Sequence, residues 1–273
     1  MEQDLSTQTS DRQSNLKRLL LTLLIGVAAL QWGSVPLIAW LLPDATMNDR
    51  MVVVKGLTFV FFAIVIMRSA GWRAVGFRRP VRLGSLVYGT PCFLLAGMAL
   101  TAGVSPKMTL GAFIYMTVWL TFGVLVEEIL FRGVMWEVLA SRGSFFTAIS
   151  TSTGFGMFHV LGIGGEIPTS VILAQMFAAV GIGMIIAAVR VASGTIWTAI
   201  AAHWIFNAMS FVASGGVSDT LSTGVEMQFL AAGTVLGVIG LGLVALATRR
   251  SRSRGEAGSA PRSGVALSGA GAR

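Results

Sequence analysis

Apolar runs recur eight times along this chain, separated by short polar breaks, and that recurrence leaves few folds open. They fall at 19–42, 52–67, 83–102, 109–139, 145–163, 169–189, 195–213 and 227–248. About 20 residues of helix, rising 1.5 Å each, cross a hydrocarbon layer about 30 Å thick. Backbone inside that layer must satisfy its own hydrogen bonds, which a helix does internally. Composition agrees: of 273 residues 54% are hydrophobic and 12% charged, with a mean hydropathy of +0.77. Soluble domains carry about 25% charged residues, so too few polar side chains remain to coat a water-soluble surface. The expected fold is all-α, a polytopic transmembrane bundle of about eight helices with an intramembrane cavity.

Charge placement sets the expected topology. A net charge of +8 would suggest nucleic acid in a soluble protein, but here Lys and Arg fall between apolar runs, as topology signals do. With the N-terminus in the cytoplasm and eight crossings, 17 of the 20 basic residues face the cytoplasm, leaving Arg50, Lys55 and Lys107 outside. The positive-inside rule then favours a cell-membrane protein with both termini cytoplasmic, and no nucleic-acid partner. Residues 1–18 and 249–273 read as disordered cytoplasmic tails flanking a membrane domain over 19–248. The first apolar run is too long for the core of a cleavable signal peptide. A single Cys92 carries no disulfide information. Lys55 reads as snorkelling at the outer end of the second span. Short loops and an Ala/Gly/Arg-rich tail give the chain a bacterial look.

Within the runs, ionisable residues are rare, and intramembrane charge marks functional sites by default. Glu127, Glu128 and Arg132 lie in the fourth run, His159 in the fifth, and His203 with Asn207 in the seventh. Glu128 and Arg132 are four apart and can pair along one helix face. Glu127 points about 100° away, so nothing in its own helix neutralises it, and it is free for proton transfer. His203 and Asn207 share a face, where imidazole and amide N–H groups could stabilise an oxyanion. A glutamate and a histidine holding one water could deprotonate it for attack on a carbonyl. These are the parts of peptide-bond hydrolysis without a covalent intermediate. Glu137, Arg142, Glu166 and Arg190 read as interfacial.

Glu127-Glu128-x-x-x-Arg132, Phe155-x-x-x-His159 and His203-x-x-x-Asn207, in three successive motifs, resemble the CPBP (ABI) family of CAAX-prenyl-protease and bacteriocin-processing intramembrane endopeptidases. Phe131-Arg132-Gly133 and Ser193-Gly194-Thr195-Ile196-Trp197 agree with the flanks, and the resemblance covers about 109–210. It implies an endopeptidase in which Glu127 and His159 activate water, His203 and Asn207 form the oxyanion hole, and Glu128 and Arg132 support the site. The implied partners are the bilayer and a peptide or membrane-anchored protein substrate. No cofactor is favoured; the alternative is zinc on Glu127, His159 and His203, with one position open. Fourth-run and fifth-run residues placed by position within their spans leave Glu127 and His159 about 10 Å apart in depth. The rival reading is a non-catalytic immunity factor, scaffold or carrier built on the same polar cluster.

Overall fold

The computed structural model describes residues 2–79, 83–101, 103–162, 167–215 and 224–259, and these contain helices and no strand. Eight helices make up the bundle. α1 is Glu2–Leu41, α2 Met47–Ser69, and α3 Thr90–Leu100, entered through a 3₁₀ turn at Leu83–Gly89. α4 starts at Leu110–Glu128, passes through a π-helical segment at Ile129–Met135, and closes with Trp136–Leu139 and a 3₁₀ turn at Ala140–Arg142. α5 is Ser144–Phe158, followed by a 3₁₀ turn at His159–Gly162. α6 is Thr169–Ser193, α7 Ile196–Ser214 and α8 Glu226–Ser259.

Among the described residues seven segments are long and apolar enough to cross a membrane, α3 only together with its 3₁₀ turn (Leu83–Leu100); α5, with 15 residues, is not one of them. Side chains such as Leu21, Trp40, Leu110 and Met227 are 60–77% exposed, a surface suited to lipid and not to water. The chain is a multi-pass membrane protein. Both expected tails carry helix: α1 begins at Glu2 and α8 runs to Ser259. Leu16 and Leu19 are buried, and Gln13 donates to the Val138 carbonyl at 2.6 Å, so this stretch docks against α4. Residues 260–273 of the basic tail lie outside the described residues, as do Arg82, Glu166 and Asp219.

Local chemistry accounts for several boundaries. Thr46 caps α2 reciprocally: its hydroxyl accepts from the Asp49 N–H at 3.2 Å, and the Asp49 carboxylate accepts from the Thr46 N–H at 3.0 Å. Thr109 caps α4 through the Ala112 N–H. Gly143, at φ +90°, makes the reversal between α4 and α5, a backbone state that favours glycine.

α6 is the axis of the bundle, with 67% of its span window buried against 17–28% for the other spans. Small residues let its neighbours approach. A Cβ on Gly181 would lie 2.5 Å from the Gly233 carbonyl oxygen of α8, and one on Gly156 of α5 would lie 2.6 Å from the Met176 carbonyl oxygen of α6. Such backbone-to-backbone closeness drives helix association where lipid offers no hydrophobic effect. Gly181→Ala should therefore cost about 1–3 kcal/mol by overpacking, read as a lower midpoint of thermal unfolding in detergent. Gly33→Ala in α1, where the added carbon meets nothing within 4 Å, should leave the midpoint unchanged or slightly raised.

Candidate active site

The π-helical segment sits immediately after the paired glutamates and contains Arg132. π-bulges appear often at functional sites because an extra residue per turn re-aims side chains and leaves a carbonyl open. Here the Arg132 carbonyl accepts from Arg190 Nε of α6 at 3.2 Å. The Arg132 side chain is fully buried. Its Nη1 donates to Glu128 Oε1 at 3.2 Å, its Nη2 donates to the Gly183 carbonyl of α6 at 3.0 Å, and its guanidinium lies 4.6 Å from the Phe155 ring centroid of α5. Gly183 is required there: a Cβ would stand 3.0 Å from that guanidinium nitrogen. The i,i+4 pair expected from sequence is present, and both partners have 0% side-chain exposure.

Glu128 has a second partner that sequence reasoning missed. His203 Nδ1 of α7 lies 2.9 Å from the same Oε1. A carboxylate only accepts, so Nδ1 carries the proton and Nε2 faces the other way. Nε2 looks toward Glu127 Oε2 at 3.8 Å, beyond direct hydrogen-bond reach. Glu127 keeps 18% of its side chain exposed, whereas Glu128 has none. The two adjacent carboxylates therefore occupy different environments, as their angular separation requires.

His159 caps the C-terminus of α5, with Nδ1 3.0 Å from the Phe155 carbonyl. A carbonyl also only accepts, so Nδ1 donates and Nε2 keeps a free lone pair. The Phe155 ring separates the two imidazoles, edge-to-face with each at centroid distances of 5.2 Å and 5.4 Å. The expected depth offset between Glu127 and His159 comes out differently. α4 and α5 form a hairpin about Gly143; Glu127 stands 16 residues before that apex and His159 stands 16 after it. Counted from the turn, the two are level. The expected offset arises from placing each residue by its position within its own run and not by its distance from the turn the two helices share.

These residues meet in one cavity of about 210 Å³. Glu127, His159, His203 and Asn207 all line it, on walls that include Trp119, Phe155 and Phe206. Asn207 stands one turn beyond His203 on the same face. Lys55 lines the cavity too, with its ammonium 3.9 Å from the Trp119 ring centroid, so it points inward and does not snorkel to the lipid edge. Among the described residues no three His, Cys, Asp or Glu side chains are grouped so as to hold a metal ion. Glu127, His159 and His203 do not form such a group as they stand.

Two residues read as interfacial, Glu137 and Arg190, pair with each other inside the protein. Glu137 accepts from Arg78 Nη2 at 2.6 Å and Arg190 Nη2 at 3.1 Å, with 9% of its side chain exposed and 4% of that of Arg190. That cluster and the Arg132 pair are separate charge networks on one helix.

Breaking a buried pair leaves one charge uncompensated, at a cost of about 3–5 kcal/mol. Arg132→Met should therefore lower the thermal midpoint sharply, and adding Glu128→Gln should recover part of the loss, because the amide oxygen still accepts from His203. A double-mutant cycle on thermal unfolding in detergent measures the recovery.

Comparison with known proteins agrees with the motifs that define the cavity. Residues 109–209 match the family described as Type II CAAX prenyl endopeptidase Rce1-like. The match takes in α4, α5, α6 and most of α7, and with them every residue of the three motifs. No curated protein and no solved structure matches the chain. The matched family is a protease family, which supports an endopeptidase acting on a peptide or protein from within the membrane. Over residues 109–209 the chain is thus similar to the Rce1-like type II CAAX prenyl endopeptidases.

Proposed function

We propose that this protein is an intramembrane endopeptidase that hydrolyses a peptide bond by direct attack of water. One observation carries the reading. Glu127, His159, His203 and Asn207 line a single cavity, while the charges that brace it, Glu128 and Arg132, lie fully buried behind.

The roles follow from which atoms are free. Among the described residues Glu127 has no hydrogen-bond partner fixing its carboxylate, and it lines the cavity, so it takes the proton from a water. His159 spends Nδ1 on the Phe155 carbonyl and presents the Nε2 lone pair, which orients the same water by accepting its second hydrogen. The resulting hydroxide adds to the scissile carbonyl. Negative charge then develops on the carbonyl oxygen, and it is met by the Asn207 amide N–H and by a proton on His203 Nε2. With Nδ1–H held by Glu128, His203 donates from Nε2 when both ring nitrogens carry a proton. Collapse of the tetrahedral species breaks the C–N bond, and the proton held by Glu127 passes to the leaving amine. Atoms and charge balance without a covalent enzyme intermediate.

In a preparation that cleaves membrane-anchored peptides, Glu127→Gln should lower the rate by about 10²–10⁴-fold with thermal stability intact. Asn207→Ala should lower kcat by about 10²–10³-fold with little change in KM. Wild-type activity should survive exhaustive chelation, with no metal in the purified protein. Unchanged function in Glu127→Gln would sink the enzyme reading and favour a non-catalytic immunity factor, scaffold or carrier. Loss of activity on chelation, restored by zinc, would overturn the metal-free step.

A further inference from the structure

The cavity extends from the level of Glu127 and His203 in one direction only. No lining residue lies nearer the Arg78–Glu137–Arg190 end of the bundle than Glu127 on α4, Phe155 on α5, Ile182 on α6 and His203 on α7. Beyond those four the core is closed. Residues 128–134 and 183–191 are buried throughout, as are Ile196, Thr198, Ala199 and Ala202. The Glu128–Arg132 pair is therefore the floor. In the other direction the wall continues to Trp119 of α4, Gln175 of α6, Phe211 of α7 and Phe229, the fourth residue of α8. Trp119 precedes Glu127 by eight residues and Phe211 follows His203 by eight, so the shaft is about 12 Å long. The Trp119 and Phe211 rings meet edge to face at a centroid distance of 5.8 Å, which puts the two counts at one level.

The two ends of the bundle differ in charge. At the closed end Arg12, Arg78 and Arg190 gather on Glu137, and Arg250 of α8 donates to Tyr88. At the open end Arg50 and Lys107 stand with Asp44, Asp49 and Glu226, whose carboxylate accepts from Ser170 at the start of α6. Clustered Arg and Lys mark the cytoplasmic end of membrane helices. We propose that the active-site shaft opens on the non-cytoplasmic side and cuts polypeptide that has already crossed the membrane. The proposal rests on the endopeptidase reading and adds the side and state of its substrate. At about 3.3 Å per extended residue, three or four residues lie between the mouth and the cut bond. A volume of about 210 Å³ admits no folded domain, so the bond lies in an unfolded stretch. The rings of Trp119, Phe206, Phe211 and Phe229 favour apolar side chains there. The reaction that supplies this substrate is translocation of an exported or membrane-anchored chain, and the products leave on the far side.

The test reads access separately from activity, in the full chain carrying Cys92→Ala. Ser210→Cys reports the mouth, and Ser141→Cys, exposed in the turn that ends α4, reports the closed end. Where Ser210→Cys does not fold, Gln175→Cys on α6 repeats the measurement. The probe is a membrane-impermeant quaternary-ammonium methanethiosulfonate, applied to spheroplasts and to inverted vesicles of an expressing bacterium and read by mass spectrometry. In spheroplasts the Ser210→Cys chain should be modified and the Ser141→Cys chain spared; inverted vesicles should give the reverse. Modification of the Ser210→Cys chain from the cytoplasmic side, or from neither side, overturns the proposal. The same preparations of wild type then receive lipidated peptides of randomised sequence bearing a sulfonated dye that keeps them on the side of addition. Cleavage should occur in spheroplasts, be absent in inverted vesicles and be lost in Glu127→Gln. Cleavage confined to inverted vesicles overturns the proposal and leaves the endopeptidase reading in place. Modification from outside with cleavage on neither side overturns the endopeptidase reading, and the substrate assigned here falls with it.

Discussion

A fully buried guanidinium is tolerable only where its charge is compensated, and compensating that of Arg132 draws four helices together, although its Nε has no partner among the described residues. Glu128 of α4 supplies the counter-charge, the Gly183 carbonyl of α6 takes a second donor, and the Phe155 ring of α5 covers one face. Glu128 in turn holds His203 of α7. Removing any one of these leaves a charge or a donor unmatched at zero exposure, which is the expensive direction for a buried pair. The pair does little as a net source of stability. Its use is registry: it sets which way His203 presents Nε2 and leaves Glu127 as the carboxylate facing the cavity.

A second network, one and a half turns further along α4, holds the frame around that core. Glu137 gathers Arg78 from the loop after α2 and Arg190 from α6, with Arg12 of α1 at 3.8 Å. Thr195 donates its hydroxyl to the Arg78 carbonyl, and the Ile196 N–H donates to the Gly76 carbonyl, so the same loop fixes the start of α7. Arg190 joins the two networks by donating to the Arg132 carbonyl opened by the π-helical segment. The exposed Arg12 contact adds little. The buried ones tie the helix that carries the glutamates to the helix that carries His203 and Asn207.

The helices and the polar motifs that line the cavity were legible in the sequence because both depend on short-range spacing. Apolar length marks a crossing, and four-residue spacing pairs Glu128 with Arg132 and puts His203 beside Asn207. What was not legible depends on how helices meet. The π-helical register at Ile129–Met135 has no simple sequence mark. Lys55 near a span end reads as snorkelling until Gly123 and Trp119 are seen to make room for it. Glu137 and Arg190 read as interfacial because each lies near the end of an apolar run, and only their meeting buries them. The level placement of Glu127 and His159 could have been found by counting from Gly143, the one reversal that both helices share. Likewise, Gln13 and Leu16 dock because α1 continues through the polar residues that composition assigns to a tail.

The matched region carries most of the cavity wall, and Lys55 of α2, Ser210 and Phe211 of α7 and Phe229 of α8 complete it. The central claim is that water itself is the nucleophile, activated between Glu127 and His159, with no acyl-enzyme on the way. Cleavage by the purified wild type in H₂¹⁸O containing hydroxylamine tests it directly. Direct attack by water predicts one ¹⁸O in each new carboxylate and no hydroxamate. Formation of a hydroxamate, together with a burst of amine product in the first turnover, would contradict it.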